Sequence, residues 1–291
     1  MAANIRFFIE NNLQRATITS SGVLSGYPAA WAVHPSPSQV ARLDSGTTGY
    51  IDFDLSAYPA KQYSNGIIIV NHNLTAAGSF ELRAGSTSGG YDILQETFDA
   101  HEEIWGWGDF PWADWVGWGG YMTPELIKEH FPYILRPYYF DGVSAAHWRL
   151  IATEPAATGL TYIEIGVVML SEIYEPTYNI VYGFKRDPIQ LSTHSTVSGG
   201  NTIVNLSNKK RRFGMSFARI NDSEVNWQFQ RMTHIIGNTR PVAIDAFSDT
   251  EDNAKRVHNR CYGYLQDISG ISFDSIGIMK PTKELVIEDE L

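Results

Sequence analysis

Over the first 170 or so residues, apolar and polar positions alternate with a period of two in short runs, the pattern of strands that bury one face. In GYIDFDL, Ile51, Phe53 and Leu55 are expected to point inward, with Tyr50, Asp52 and Asp54 outward. Phe80 and Leu82 alternate with Glu81 and Arg83 in the same way, and Trp148 and Leu150 share one face of a later strand. Ile163, Ile165, Val167 and Met169 form a longer alternating set. The run Ile67 to Val70 is continuous instead, as in a strand covered on both faces. Clusters of Gly, Ser and Thr such as Ala84 to Gly90 separate these runs and read as turns.

Two helices carry start signals. Thr123, Pro124 and Glu125 suit a cap, a first helical position that needs no donor, and the positive end of a helix running to about His130, which Pro132 stops. Asn221 and Glu224 have capping-box spacing, and Val225, Phe229, Met232 and Ile236 fall on one helical face, with Gly237 as the stop. A boundary is expected between Ser171 and Tyr178, where a long strand ends in EIYEPTYN. Beyond it, strands are expected near Thr202 to Leu206, Arg211 to Ile220, Val242 to Phe247 and Tyr262 to Leu265. The chain thus divides into residues 1–172 and 173–291, both mainly β, the second with one amphipathic helix.

Composition narrows the function classes. With 43% hydrophobic and 19% charged residues the chain can build a core, and 291 residues suit two domains. A net charge of -10 gives a repulsive mean field toward phosphate backbones, so no nucleic-acid partner is expected. The single Cys261 allows neither an internal disulfide nor a multi-thiolate metal site. The first residues lack the pattern of a signal peptide and no apolar run approaches membrane-spanning length, so synthesis in the cytoplasm without membrane insertion is expected.

The segments ATITSSG, PAAWAV and GYIDFDLSAYPAKQYSNGIIIVNHNLTAAGSFELRAG resemble, in this order, the discoidin-type, galactose-binding-like jelly roll, in the version found in tail-tip and baseplate proteins of long-tailed bacteriophages and gene transfer agents. PTYNIVYGFKRDPIQLSTHSTVSGG, KKRRFGMSFARINDSEVNWQFQRM and RPVAIDAF are similar to the module that follows the jelly roll there. The resemblance implies an N-terminal jelly-roll β-sandwich, with a Trp-rich insertion at about 101–141, and a smaller β-rich C-terminal module. It further implies a structural virion protein of the tail, made in a bacterial host. Copies would form a ring that contacts tube, hub or fibre proteins. The alternative is a receptor-binding or carbohydrate-binding module that recognises host surface glycans.

Trp105, Trp107, Trp112, Trp115 and Trp118 crowd one glycine-punctuated stretch, which fits intrachain packing, a subunit interface or stacking on sugar rings. The basic run Lys209, Lys210, Arg211 and Arg212 could meet the acidic C-terminal segment, with Glu284, Glu288, Asp289 and Glu290, on a neighbouring subunit, or be solvated. Asn71, His72 and Asn73 are read as satisfying backbone groups where a buried strand leaves its sheet. His101, Glu102 and Glu103 are read as a surface cluster, since adjacent residues rarely converge on one ion. Asp52 and Asp54 share an outward strand face, where solvation is the plainer reading beside calcium binding or an acid–base pair. No nucleophile elbow, phosphate loop or dinucleotide fingerprint occurs, so no catalysis, metal or cofactor is expected, and Cys261 reads as a packed small hydrophobe.

Overall fold

A computed structural model describes residues 4–103, 133–180, 184–196, 202–205, 209–217, 220–221, 224, 228–248, 253–267, 271–275, 278–281 and 285–290. All five tryptophans of the glycine-punctuated stretch, and the helix expected at Thr123 to His130, lie outside the described residues. The first eleven strands are β1 (Arg6–Phe8), β2 (Thr17–Ser20), β3 (Ala41–Leu43), β4 (Thr48–Asp54), β5 (Tyr63–His72), β6 (Ser79–Gly85), β7 (Leu94–Asp99), β8 (Leu135–Ser144), β9 (His147–Thr153), β10 (Ile163–Ser171) and β11 (Ile173–Tyr174). They are followed by β12 (Lys185–Gln190), β13 (Thr193–Thr196), β14 (Thr202–Asn205), β15 (Lys209–Met215), β16 (Ile220–Asn221), β17 (Val242–Asp245), β18 (Arg260–Asp267), β19 (Ile271–Ser275), β20 (Ile278–Pro281) and β21 (Leu285–Asp289). The protein is mainly β.

Two antiparallel sheets face each other across the larger core: a five-stranded sheet ordered β2-β4-β9-β6-β7 and a four-stranded sheet ordered β3-β10-β5-β8. The alternation in the sequence sets which side chains fill this sandwich. Ile51, Phe53, Leu55, Phe80, Leu82, Trp148 and Leu150 are buried in one cluster with Ile67, Ile69, Ile163 and Ile165 from the opposite sheet. Ile68 and Val70 are buried on the other face of β5, as a continuous apolar run predicts. The expected alternation along β10 fails at one point. Val168 and Leu170 join Ile163 and Ile165 in the sandwich core, whereas Val167 and Met169 turn outward. The break falls at Gly166, where an added Cβ would sit 2.6 Å from the Val70 carbonyl. Beside it, Asn71 holds a left-handed φ of 63°. The paired irregularity switches the faces of both strands, which period-two reading cannot anticipate.

A seven-stranded sheet, β11-β1-β17-β18-β21-β15-β12, builds the second unit. Its core takes Phe213, Met215, Phe229, Met232, Ile236, Val242, Ile244, Leu265 and Ile287, so the expected apolar helical face is buried as far as it is described. That helix is a π-helix over Arg231–Ile236, closed by Gly237 at φ 49°. The capping box does not form. Asn221 belongs to β16, paired with Ile278, and the Glu224 carboxylate accepts from the backbone and hydroxyl of Thr177 and from the Tyr174 hydroxyl. The first strand, β1, also belongs to this sheet: Phe7 and Phe8 pair with Ile173–Tyr174 on one side and Ala243–Ile244 on the other. Residues near the N-terminus therefore complete the unit built otherwise from residue 173 onward.

The two units are packed tightly together. Phe8, Ala243 and Tyr262 cover the outer face of the four-stranded sheet at Ile68, Val70, Tyr133, Leu135, Val167 and Met169. Polar groups close the junction. The Tyr262 hydroxyl donates to the Pro35 carbonyl at 2.7 Å, and the Tyr139 hydroxyl donates to Asp245 at 2.8 Å. Glu102 binds Arg136 at 2.6 Å, Arg256 at 2.9 Å and Arg260 at 2.9 Å. With 9% of its side chain exposed, Glu102 is no surface residue, and the expectation of a surface cluster is corrected there, while Glu103 is exposed as expected. Burial alone would raise its carboxyl pKa. Arg260, Arg136 and Arg256 outweigh that and hold it below the ordinary value.

Candidate binding site

On the outer face of the five-stranded sheet, β4 and β9 place Asp52 directly opposite Arg149 and Asp54 opposite His147. Arg149 grips Asp52 through two bonds, Nε–Oδ1 at 2.5 Å and Nη2–Oδ2 at 2.6 Å. The Tyr91 hydroxyl donates to Asp52 Oδ1 at 3.0 Å. The guanidinium lies 3.9 Å from the centre of the Tyr50 ring and 4.9 Å from that of Tyr91, within cation–π range of both. Burial and the Asp52 charge both push the Tyr91 phenol up, so it stays protonated as a donor. Asp54, with 44% of its side chain exposed, accepts from the Ser56 backbone at 2.8 Å; the Ser56 hydroxyl first and then that backbone group lower its pKa, and His147 Nδ1 lies 3.6 Å away.

The turn after β6 overhangs this pair. Ala84 to Gly90 does contain a turn, as its composition predicts, with Gly90 N donating to the Thr87 carbonyl at 3.1 Å. A Cβ on Gly85 would meet the Gly90 carbonyl at 1.6 Å, so the turn closes only over glycine. It carries Ser88, Gly89 and Tyr91 to the rim of a groove of about 170 Å³, whose other walls are Thr17, Thr19, Asp52, Asp54 and His147 above the buried Phe53 and Trp148. The groove joins hydroxyls, one ion pair, one half-exposed carboxylate and an imidazole beside aromatic rings. That set can orient a hydroxyl-rich ligand. It is poorly suited to acid–base chemistry by Asp52, whose two oxygens are already occupied by Arg149 and Tyr91.

The other residues singled out in the sequence sit elsewhere. Arg211 donates to Asp289 at 2.6 Å, and Arg212 lies 3.3 Å from Glu288, directly across the β15–β21 ladder. The complementary charges expected on a neighbouring subunit are therefore neighbours in one sheet. Lys209 and Lys210 stand opposite Gln190 and Ile189 of edge strand β12. Cys261 is buried, and burial together with Asp289 pushes its thiol up, as fits a packed residue. Asn71 and Asn73 do satisfy backbone groups: Asn71 donates to the Pro37 carbonyl, while Asn73 donates to Tyr162 O and accepts from Glu164 N. Among the described residues, no group of three or more His, Cys, Asp or Glu side chains could hold a metal ion, and no helix is long and apolar enough to cross a membrane.

His72 departs from expectation, since among the described residues neither ring nitrogen finds a partner in good hydrogen-bond geometry, although the Ala100 backbone lies near enough to act on its pKa. Its ring centre lies 5.2 Å from that of Phe80 and 5.0 Å from that of His101. Burial foremost, then the neighbouring His101, pushes its pKa well down, and the Ala100 backbone offsets only part of this. Burial likewise lowers His101, whose Nε2 lies 2.8 Å from the Leu74 carbonyl. Both stay neutral in the folded chain at a pH where an unfolded histidine, near pKa ~6.5, takes up a proton. Below that pH the unfolded chain binds more protons, so stability is lost as the pH falls. Urea midpoints should drop between pH 7.5 and 5, and His72→Leu should flatten that slope; an unchanged slope would refute the assignment.

No family model matches the chain, and no curated protein does. Among solved structures, it is similar to chitosan-binding module 1 of a chitosanase/glucanase from Paenibacillus sp. IK-5, at 16% identity and TM-score 0.36, covering 55% of this chain and 97% of the module. A CBM32 domain from Clostridium perfringens in complex with GalNAc-β-1,3-galactose aligns at 11% identity and TM-score 0.35, covering 56% and 99%. The CBM32 of AlyQ in complex with 4,5-unsaturated mannuronic acid aligns at 14% identity and TM-score 0.33, covering 53% and 92%.

Proposed function

We propose that the chain is a carbohydrate-recognition protein that acts by binding rather than turnover, with the groove over Asp52 and Arg149 as its saccharide site. One observation carries this reading: a guanidinium pinned by a cross-strand carboxylate and packed on the Tyr50 ring also holds the Tyr91 ring at the edge of a groove rich in hydroxyls and carboxylates. Rings fixed before the ligand arrives lose little conformational entropy on binding, and sugar rings present both C–H faces for stacking and hydroxyls for hydrogen bonds. Screening the full chain on a glycan array, then titrating the best ligand, tests it. Tyr91→Ala removes one ring and one hydroxyl and should weaken binding about tenfold, the equivalent of ~1.4 kcal/mol. A chain that binds no glycan, or a Tyr91→Ala variant that binds as well as the wild type, would sink the reading.

A second reading is favoured by the rigidity of the junction. Strand β1 pairs within the second unit's sheet while its Phe8 packs on the four-stranded sheet, and Glu102 is held by arginines from both units, so the surfaces of the two units keep a fixed relation. Such coupling suits a structural subunit of a phage tail tip, assembled into a ring with tube, hub or fibre proteins in the virion. In that role the groove would serve host-surface recognition. Light-scattering chromatography with and without tail proteins separates the two: a closed ring supports assembly, and a monomer indifferent to them leaves glycan recognition alone.

A further inference from the structure

The constellation around Arg149 occurs a second time, on the other sheet. Arg42 of β3 faces Glu164 of β10 across the ladder, as Arg149 faces Asp52, and its Nε donates to Glu164 Oε1 at 2.6 Å. Its guanidinium lies 3.8 Å from the centre of the Tyr27 ring and 4.8 Å from that of Tyr162. Trp31 stands edge-on to Tyr27, with centroids 6.0 Å apart at 84°. Arg42 and Glu164 retain 26% and 24% of their side-chain exposure, between neighbours Ala41, Leu43, Ile163 and Ile165 that are wholly buried in the sandwich. They therefore lie on the outer face of the four-stranded sheet, at the end left open where the second unit covers Val167 and Met169.

The local structure holds these groups in place. Tyr27 O accepts from Arg42 N, which ties the first ring to β3. Asn73 donates to Tyr162 O at 3.0 Å and accepts from Glu164 N at 2.7 Å, so one side chain sets the backbone of both Tyr162 and Glu164. One difference from the first constellation bears on ligand chemistry. Asp52 already accepts two guanidinium bonds and a phenol, whereas among the described residues Arg42 and Glu164 share a single hydrogen bond. The second carboxylate oxygen and the terminal guanidinium nitrogens retain capacity for a ligand that both donates and accepts. A pyranose does so through adjacent hydroxyls while its ring packs on tyrosine or tryptophan.

We infer that Tyr27, Trp31, Arg42, Tyr162 and Glu164 form a second saccharide site, so that the chain binds two pyranose-containing ligands on opposite sides of the sandwich. The inference rests on the carbohydrate-recognition reading above and adds a second site to it. It implies that one chain bridges two glycan strands, since the sandwich core separates the two outer faces.

Calorimetric titration of the full chain with a β-1,4-linked glucosamine tetramer, its N-acetylated form and a β-linked galactose tetramer tests this. The expected result is two bound tetramers per chain for at least one probe. Tyr162→Ala and Tyr27→Ala should each reduce this to one, with the remaining site within about twofold of its original affinity, as holds for separated sites. Tyr91→Ala should instead weaken the other site about tenfold and leave this one unchanged. Thermal midpoints close to wild type in both variants confirm that the sandwich is intact. A single site untouched by Tyr162→Ala and Tyr27→Ala, or two sites that survive both, overturns the second site alone. No binding of any probe by the wild type overturns the carbohydrate reading with it.

Discussion

Glu102→Gln should destabilise the protein by about 3–5 kcal/mol, the cost typical of removing one partner from a buried ionic cluster. The substitution keeps the shape and removes the charge. Arg136 and Arg260 would then stay within the junction with 12% and 2% of their side chains exposed, and among the described residues Arg260 would retain Asp245 alone, at 3.3 Å, as an ionic partner. The pH dependence carries a second sign of the same interaction. Because the folded Glu102 carboxyl titrates below its ordinary value, its contribution is present above the unfolded pKa of ~4.3 and is lost as the pH falls through the lower folded one. Urea denaturation at neutral pH measures the main effect. A loss below about 1 kcal/mol would place these contacts in the class of exposed ion pairs and remove the junction as a source of rigidity.

Trp148→Ala should cost about as much, ~3–5 kcal/mol, for a different reason. Trp148 is 1% exposed, lies opposite Phe53 and Ala84 in the five-stranded sheet, and donates its indole N–H to the Ala145 carbonyl at 3.0 Å. Truncation leaves a cavity between the sheets that a well-packed core closes only in part. It also removes the support beneath the groove, whose walls come from the strands on either side of Trp148. Saccharide binding should therefore weaken even where the variant remains folded. Trp148→Phe should recover most of the stability, since it refills most of the volume and gives up the indole donor. Chemical denaturation of the three proteins beside their glycan affinities decides the matter, and equal stability of Trp148→Ala and wild type would refute it.

These effects mark where sequence reasoning reaches and where it stops. The inward set Ile51, Phe53 and Leu55, and the two-sided burial of Ile67 to Val70, were legible because alternation along a strand is a local property of the pleat. Phe229, Met232 and Ile236 were legible as one helical face for the same kind of reason. The outward position of Asp52 was readable too, but its role was not. That role depends on Arg149, Tyr50 and Tyr91, and only the β4–β9 register and the turn closed by Gly85 bring them to one place.

The charged residues show the same division. Glu102 beside His101 and Glu103 looks like surface in one dimension, yet its partners Arg136, Arg256 and Arg260 arrive from as far as 158 positions along the chain. Arg211 and Arg212 have the complement expected of them in Asp289 and Glu288, from the adjacent strand of the same sheet.

The amino-acid sequence by itself determined that this protein is mainly β, which side chains of β4, β6 and β9 line the sandwich core, and that its single cysteine is a packed one, because burial preference and pleat periodicity act through near neighbours. Tertiary structure alone decided that the N-terminal strand completes the second unit's sheet, that Gly166 and Asn71 exchange the faces of two strands, and that guanidinium groups sit among tyrosines on both faces of the sandwich. Each of these depends on the register between strands distant in sequence. That register is set by the fit of the whole core and not by any segment of it.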